Sequence, residues 1–334
     1  MQAKTVSHES IFTQHPIFTA TGNFIKRNAG ILAALTIICI ILTFLSPVFL
    51  TVNNILNVLR QVSTNADIAL GMTLVILTGG IDLSVGAVVA IAGTMAAGFI
   101  ALNGLPAWVA IALGLLIGMM IGFFNGLVIT KTGIPQFLVT MAVLTMTRGL
   151  VYVYTGGLPI RTLDPIFNKV GSGYLGAVPL PVIYTVILYI GAMILLYRTK
   201  LGRHIYAVGG NREAARFSGI NIAKVEIAVY TIIGFLSAVT GIVLCGRMYS
   251  GQPTIGNGFE FDAIAAVVLG GTSFTGGVGT IGGTIIGVLV IGVLNNGLNI
   301  LGVSSFWQLI VKGAVILLAV YIDSLKKHSG KNKN

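Results

Sequence analysis

The sequence predicts an all-α polytopic membrane protein of about ten transmembrane or partly spanning helices, rich in glycine and carrying a weak internal repeat. Three observations lead there. Hydrophobic residues make up 55% of the 334 residues and charged residues only 9%. A soluble domain carries about 25% charged residues, so this chain cannot clothe its surface for water. Apolar runs of about 20 residues recur, the length that crosses ~30 Å of hydrocarbon as a helix. The basic residues, finally, fall in the breaks between those runs, which is how a membrane protein sets its orientation. The net charge of +11 therefore implies a lipid bilayer as surroundings and no nucleic acid.

Taken in order, residues 1–28 form a polar tail with Lys4, Lys26 and Arg27. The apolar run at 29–49 is too long for a signal-peptide core, and no small-residue cleavage site follows it. It is expected to stay as the first span. The polar stretch "TVNNILNVLRQVSTNAD" then runs directly into a short apolar segment at 68–77. Further spans are expected near 83–102, 107–129, 137–156 and 179–197. A charged loop at 198–226 precedes spans near 225–245, 261–269 (again short), 281–301 and 306–322. The transmembrane domain is thus 29–322, and a basic tail occupies 323–334.

With the N-terminus inside, 14 of the 20 Lys and Arg residues lie in segments facing the cytoplasm, six of them in the 198–226 loop. Arg60, Arg161, Lys169 and Arg247 lie outside, and Arg148 and Lys312 within spans. That bias predicts two cytoplasmic termini in a cytoplasmic membrane. Cys39 and Cys245 each sit in an apolar run, so no disulfide framework is implied. The four histidines lie outside the runs and lack metal-ligand spacing.

The repeat pairs "NADIALGMTLVILTGG" (65–80) with "FDAIAAVVLGG" (261–271). Each opens on an acidic residue, Asp67 or Asp262, and ends on two glycines. Short or glycine-interrupted segments in two halves of a transporter point to its substrate path. A competing match, "FNGL" (124–127) with "NNGL" (295–298), relates the halves differently, and the residues leave both open.

The run "GGVGTIGG" (276–283) contains a G-x-G-x-x-G spacing. A dinucleotide turn also needs a preceding strand and an acidic residue about 20 positions on. The sequence there reads "NIL", and the next acidic residue is Asp323. Two other readings remain: small residues that let helices approach closely, and a glycine-broken or re-entrant segment, tolerated at depth only under protein or beside water. Gly79, Gly80, Gly276, Gly277 and Gly279, with Asp82 in "GGIDLSVG", are the candidate gate or turn residues. Asp82 serves equally well as an acidic group at a helix start.

Polar residues inside spans are costly and face the bundle interior or a cavity. Arg148 and Lys312 are candidates for the translocation path, or else for an ion pair or a carbonyl clamp. Asn125, Asn295, Asn296 and Asn299 could bind hydroxyl groups or bind helices together. Asn65 and Asp67 stand at the polar mouth of the second span. No base, nucleophile or metal ligand clusters with these residues, so no catalytic site and no enzyme are expected.

In the 198–226 loop, Glu213, Ala214 and Ala215 favour a short helix that Gly219 would stop. It is either a connector or a segment that docks into a partner. The pattern E-A-A-x-x-x-G resembles the coupling segment of binding-protein-dependent ABC importer permeases. "GMTLVILTGGIDLSVGAVVA", "LGRHIYAVGGNREAARFSGIN", "FDAIAAVVLGGTSFTGGVGTIGG" and "LNNGLNILGVSSFWQLIVKGAVILLAV" are similar to the simple-sugar branch of that family, over about residues 45–323. The broader pattern continues with I-x-L-P where this chain has "VYTI" (229–232), a departure that bears on the partner contacts.

The resemblance implies the permease subunit of an ATP-driven importer for a monosaccharide, ribose before other sugars. It implies a second copy of the chain, two ATP-binding cassette subunits gripping the loop through Gly210, Asn211, Glu213, Ala214, Ala215 and Gly219, and an extracytoplasmic sugar-binding protein. The chain has no G-x-x-x-x-G-K-S/T segment, so it holds no nucleotide cofactor in that way, and ATP belongs to the partner subunits. The alternative is an ion-coupled secondary transporter that uses Asp67 and Asp262 to bind H⁺ or Na⁺.

Overall fold

A computed structural model describes residues 16–331. The expectations for residues 1–15 and 332–334, at the two ends of the tails, lie outside the described residues. The chain is helical throughout, with only four two-residue strands among the described residues, paired as short ribbons. The long helices are α1 (Pro16–Leu45), α2 (Val52–Leu77), α3 (Val85–Ala101), α4 (Ala107–Thr132), α5 (Gln136–Thr155), α7 (Leu180–Arg198), α10 (Ile222–Met248), α12 (Ile281–Ile300) and α13 (Ser305–Lys331). A half-length helix, α11 (Phe259–Leu269), and three short helices outside the expected spans, α6 (Pro165–Ser172), α8 (Lys200–Gly210) and α9 (Arg212–Phe217), complete the set.

Each of the ten apolar segments is therefore helical, and six of the helices are long and apolar enough to cross a membrane by themselves. The bounds differ from expectation in three places. α1 starts at Pro16, inside the expected tail, and α13 runs on to Lys331. The short segment at 68–77 is longer than expected, because the polar stretch before it is helical too. That stretch forms the first half of α2, started by the Thr51 side chain, which accepts from the Asn54 N–H. Asn54 and Asn65 of that stretch are buried, whereas Asn53 and Asn57 stay exposed.

Side-chain contacts sort the helix ends onto two faces. On one, the starts of α2, α11 and α13 meet the ends of α10 and α12. On the other, the end of α2 and the starts of α5 and α10 meet α8 and α9. The interior is α2, α3, α10 and α12, with α4 packed on α10 through Gly118, Gly122 and Gly126 and on α3 through Gly114. A methyl group on Gly122 would stand 2.1 Å from the Tyr230 carbonyl oxygen, so the two backbones touch.

Two segments interrupt the helical crossing, 78–84 between α2 and α3, and 270–280 between α11 and α12. α11 is about 16 Å long at 1.5 Å per residue, roughly half a bilayer. The second half of that crossing is the non-helical glycine segment. Both readings of the glycine run hold at once. Gly276 and Gly277 have φ of +83° and +72° in the turn, whereas Gly283 packs directly on the Gly270 carbonyl. A helix, α11, precedes the run where a dinucleotide turn needs a strand.

Candidate functional site

On the first face, α2, α10, α11, α12 and α13 enclose a cavity of about 430 Å³. Three stripes of polar side chains line it, each produced by residues four apart on one helix. α2 contributes Asn57, Gln61 and Asn65, α12 contributes Asn295 and Asn299, and α13 contributes Gln308 and Lys312. Asn296, Asp262 and Arg247 also reach it. Asn57, Gln61 and Gln308 were not singled out from the sequence. The signal was present, since 57, 61 and 65 form a helical stripe, but it is visible only once the polar stretch is read as helix.

Two of the three charges are matched to each other, and Arg247 has no carboxylate partner among the described residues. Lys312 Nζ lies 2.8 Å from Asp262 Oδ2, and Asn295 Nδ2 donates to the same oxygen at 3.4 Å. Asn295 Oδ1 is buried and has no hydrogen-bond partner among the described residues. A buried amide oxygen left open costs about 1–3 kcal/mol, unless a ligand or water supplies a donor. Asn296 is already committed, because its amide exchanges hydrogen bonds of 2.9 and 3.1 Å with Asn54 of α2. Gln308 Nε2 donates to Asn299 Oδ1 at 2.9 Å. The site therefore offers mostly uncharged donors and acceptors around one neutralised ion pair, with the Arg247 guanidinium as a further donor, which suits a polar solute rich in hydroxyl groups.

The remaining candidates sit elsewhere. Asp67, two residues past Asn65, points about 200° round the helix, is buried, and lies beside Thr185 of α7. Arg148 donates to the carbonyls of Pro253 and Ile255 at 2.8 and 2.9 Å and so clamps the segment before α11 onto α5. Asn125 donates to Ser84 Oγ at 2.9 Å. That hydroxyl and the Ser84 N–H both donate to Asp82 Oδ1, at 2.6 and 2.8 Å. Asp82 thus fixes the turn that opens α3.

On the second face the candidate turn glycines and the loop residues come together. The Gly277 N–H donates to the Leu77 carbonyl at 2.9 Å, tying the two interrupted segments. α8 lies on that bond: Gly276 abuts Gly209, Gly277 abuts Gly210, and Tyr206 donates to the Gly279 carbonyl at 2.9 Å. Gly79 has φ +83°, and Gly80 is pressed on the Gln136 side chain. Asn211 caps α9, accepting from the Ala214 N–H at 2.9 Å. Gly219 ends it with φ +80°, as a left-handed stop requires.

α9 is exposed except for Ala215, which packs inward. Phe217 at its end is 89% exposed, an aromatic ring held out in a charged loop. Arg212 pairs with Glu226 of α10 at 2.6 and 3.0 Å. The hydrogen bond to Glu226 raises the Arg212 guanidinium above its ordinary value, partial burial opposes that rise, and the Glu226 charge adds to it.

The chain is similar to known transport proteins along most of its length. The family model described as "Branched-chain amino acid transport system / permease component" matches residues 54–320. The ribose import permease protein RbsC of Bacillus subtilis (strain 168) is 51% identical over 304 residues, covering 90% of this chain and 94% of that protein. RbsC of Escherichia coli (strain K12) is 46% identical over 331 residues, covering 98% and 100%. The xylose transport system permease protein XylH of the same strain is 34% identical, covering 84% and 86%. No solved structure matches. With a multi-pass helical fold and these matches along most of its length, the chain belongs to this family of transport-system permease components, which are transport subunits and not themselves the ATPase.

Proposed function

We propose that this chain is the membrane-spanning subunit of an ATP-driven importer for a monosaccharide, with ribose as the substrate. The polar cavity carries this reading. Asn57, Gln61, Asn65, Asn295 and Asn299 present amides to a space in which Lys312 and Asp262 neutralise each other and Arg247 is the one further charge among the described residues. Sugar hydroxyls match such a lining. A branched-chain amino acid, which the family description names, would need an apolar pocket for its side chain and opposed charges free to hold its two ionic ends. The relatives named for ribose and xylose transport support the same choice.

The face bearing α8 and α9 carries Arg198, Lys200, Arg203, Arg212, Arg216 and Lys224, so it is the cytoplasmic one, and the termini lie on that side. Two copies of the chain carry the path between them. Two ATPase subunits bind α9 and its flanks from Gly210 to Gly219, with Phe217 as an aromatic anchor. A sugar-binding protein delivers substrate at the cavity face. ATP acts in the partners by favouring one of two states of the permease. An ion-coupled carrier fits less well, because Asp262 is already occupied by Lys312 and a cation would have to displace that partner.

The test is to purify the tagged chain from its native membrane, identify what accompanies it, and reconstitute the complex for uptake of labelled ribose with xylose and leucine as competitors. A stoichiometric subunit with a G-x-x-x-x-G-K-S/T segment, lost when residues 213–219 are scrambled without unfolding, supports the importer. Uptake that needs only an ion gradient, or that leucine blocks and ribose does not, overturns it.

The cavity makes a separate prediction. Lys312→Met leaves the buried Asp262 carboxylate without its cation, and the expected cost is about 3 kcal/mol, with loss of uptake. Adding Asp262→Asn removes the stranded charge and restores thermal stability. Uptake that stays low in the double variant assigns the pair to the sugar path, whereas full recovery makes it a structural tie.

A further inference from the structure

Glu226, in the second turn of α10, is completely buried. Besides Arg212 it has one further donor among the described residues, Gln136 Nε2 of α5, at 2.8 Å. The other atom of that amide, Gln136 Oε1, faces the Tyr230 hydroxyl at 3.3 Å, four residues along α10 from Glu226. The same hydroxyl stands 3.2 Å from the Ile81 carbonyl. Its single proton is therefore shared between an amide of α5 and the backbone of the 78–84 turn. A methyl group on Gly80 would come within 2.1 Å of Gln136 Oε1 and 2.9 Å of the Tyr230 hydroxyl, so the turn rests against both side chains.

These contacts form an unbroken polar chain from the first residue of α9 to the turn that separates α2 from α3. We infer that Arg212, Glu226, Gln136 and Tyr230 are positioning residues that transmit displacement of α9 to the 78–84 turn. The inference rests on the reading of α9 as the segment an ATPase subunit grips. A buried carboxylate cannot be left behind when its cation moves, because nothing around it replaces the lost charge. The Arg212–Glu226 pair therefore moves as a unit and draws the start of α10 with it. Gln136 and Tyr230 then convert that movement into a changed hold on the Ile81 carbonyl. Arg212 is suited to the outer end, since 54% of its side chain is exposed where a partner would press. "VYTI" (229–232), the departure from the broader importer pattern, contains Tyr230 itself. The local divergence thus supplies the last hydroxyl of the relay.

Tyr230 and Gln136 lie away from the gripped surface, so changing them leaves the docking contacts alone. The experiment uses the reconstituted complex of permease, ATPase subunits and binding protein in vesicles, with ribose uptake and ATP hydrolysis measured in the same preparation. Tyr230→Phe and Gln136→Leu are expected to assemble and hydrolyse ATP like the wild type. The ATP consumed per sugar should rise roughly fivefold or more, the low end of ordinary site-to-site coupling. Arg212→Lys, which keeps the charge pair, should stay near the wild-type ratio. An unchanged ratio in Tyr230→Phe overturns the relay, as does a parallel fall in hydrolysis, uptake and assembled complex, which marks a structural role alone. Wild-type vesicles without ATP-dependent uptake would instead remove the importer reading itself, and the relay with it.

Discussion

Gly209→Ala is expected to lower stability by about 3 kcal/mol and to abolish transport, while Gly210→Ala, one residue further, is expected to be neutral or mildly stabilising. A methyl group on Gly209 would stand 1.8 Å from the Leu77 carbonyl oxygen and 2.5 Å from the Gly277 nitrogen. Those are the two atoms of the hydrogen bond that ties the interrupted segments together. The methyl has no room between them and no flexible side chain to push aside. Overpacking of this kind costs about 1–3 kcal/mol, and a broken buried hydrogen bond adds about 1–2. At Gly210 the same methyl meets nothing within 4 Å, and alanine gains up to about 1 kcal/mol in helix preference. Thermal unfolding of the detergent-solubilised variants checks the contrast. Equal effects at the two positions would show that α8 does not seat on the Leu77–Gly277 bond.

Arg212→Ala should destabilise the protein by about 3 kcal/mol and Glu226→Gln by about 1, although each removes the same ion pair. The asymmetry follows from burial, with Glu226 at 0% and the Arg212 side chain at 54% exposure. Losing Arg212 leaves a carboxylate in the interior with only the Gln136 amide to hold it. Losing the carboxylate leaves a guanidinium that water already reaches. The double variant Arg212→Ala with Glu226→Gln should recover most of the larger loss, because no charge is then stranded. Melting curves of the three proteins give the answer, and equal losses in the two single variants would mean that water reaches Glu226.

The spans were legible in the sequence because a bilayer imposes a length and a polarity on any helix that crosses it. The loop helix with its Gly219 stop was equally legible, since capping and helix preference are local properties. So was the choice of polar in-span residues, because a polar group at depth needs an interior partner wherever the chain goes. Which partner it finds is not a local property. Asn65, Asn295, Asn299 and Lys312 line one cavity, whereas Asn296 is taken up by Asn54, Arg148 by two carbonyls and Asn125 by Ser84. Each is a polar residue in an apolar run, and nothing in the run separates these fates. Asn57 and Gln61 were missed for a related reason: a polar stretch does not read as part of a span until a polar interior is known to face it.

The glycines show the same division. Composition and spacing established that backbones approach closely somewhere in the bundle. Only the assembled structure places Gly209, and not its identical neighbour, against the Leu77–Gly277 bond. Glu226, Gln136 and Tyr230 likewise come from two helices whose starts are 86 residues apart, Gln136 and Ile222. The sequence by itself determined the membrane fold, the order of its helices and the short loop helix with its glycine stop, because those depend on hydropathy and local preference. The cavity, the glycine junction and the buried polar relay were decided by tertiary packing, because each is made of groups that solvation drives together only after the helices have met.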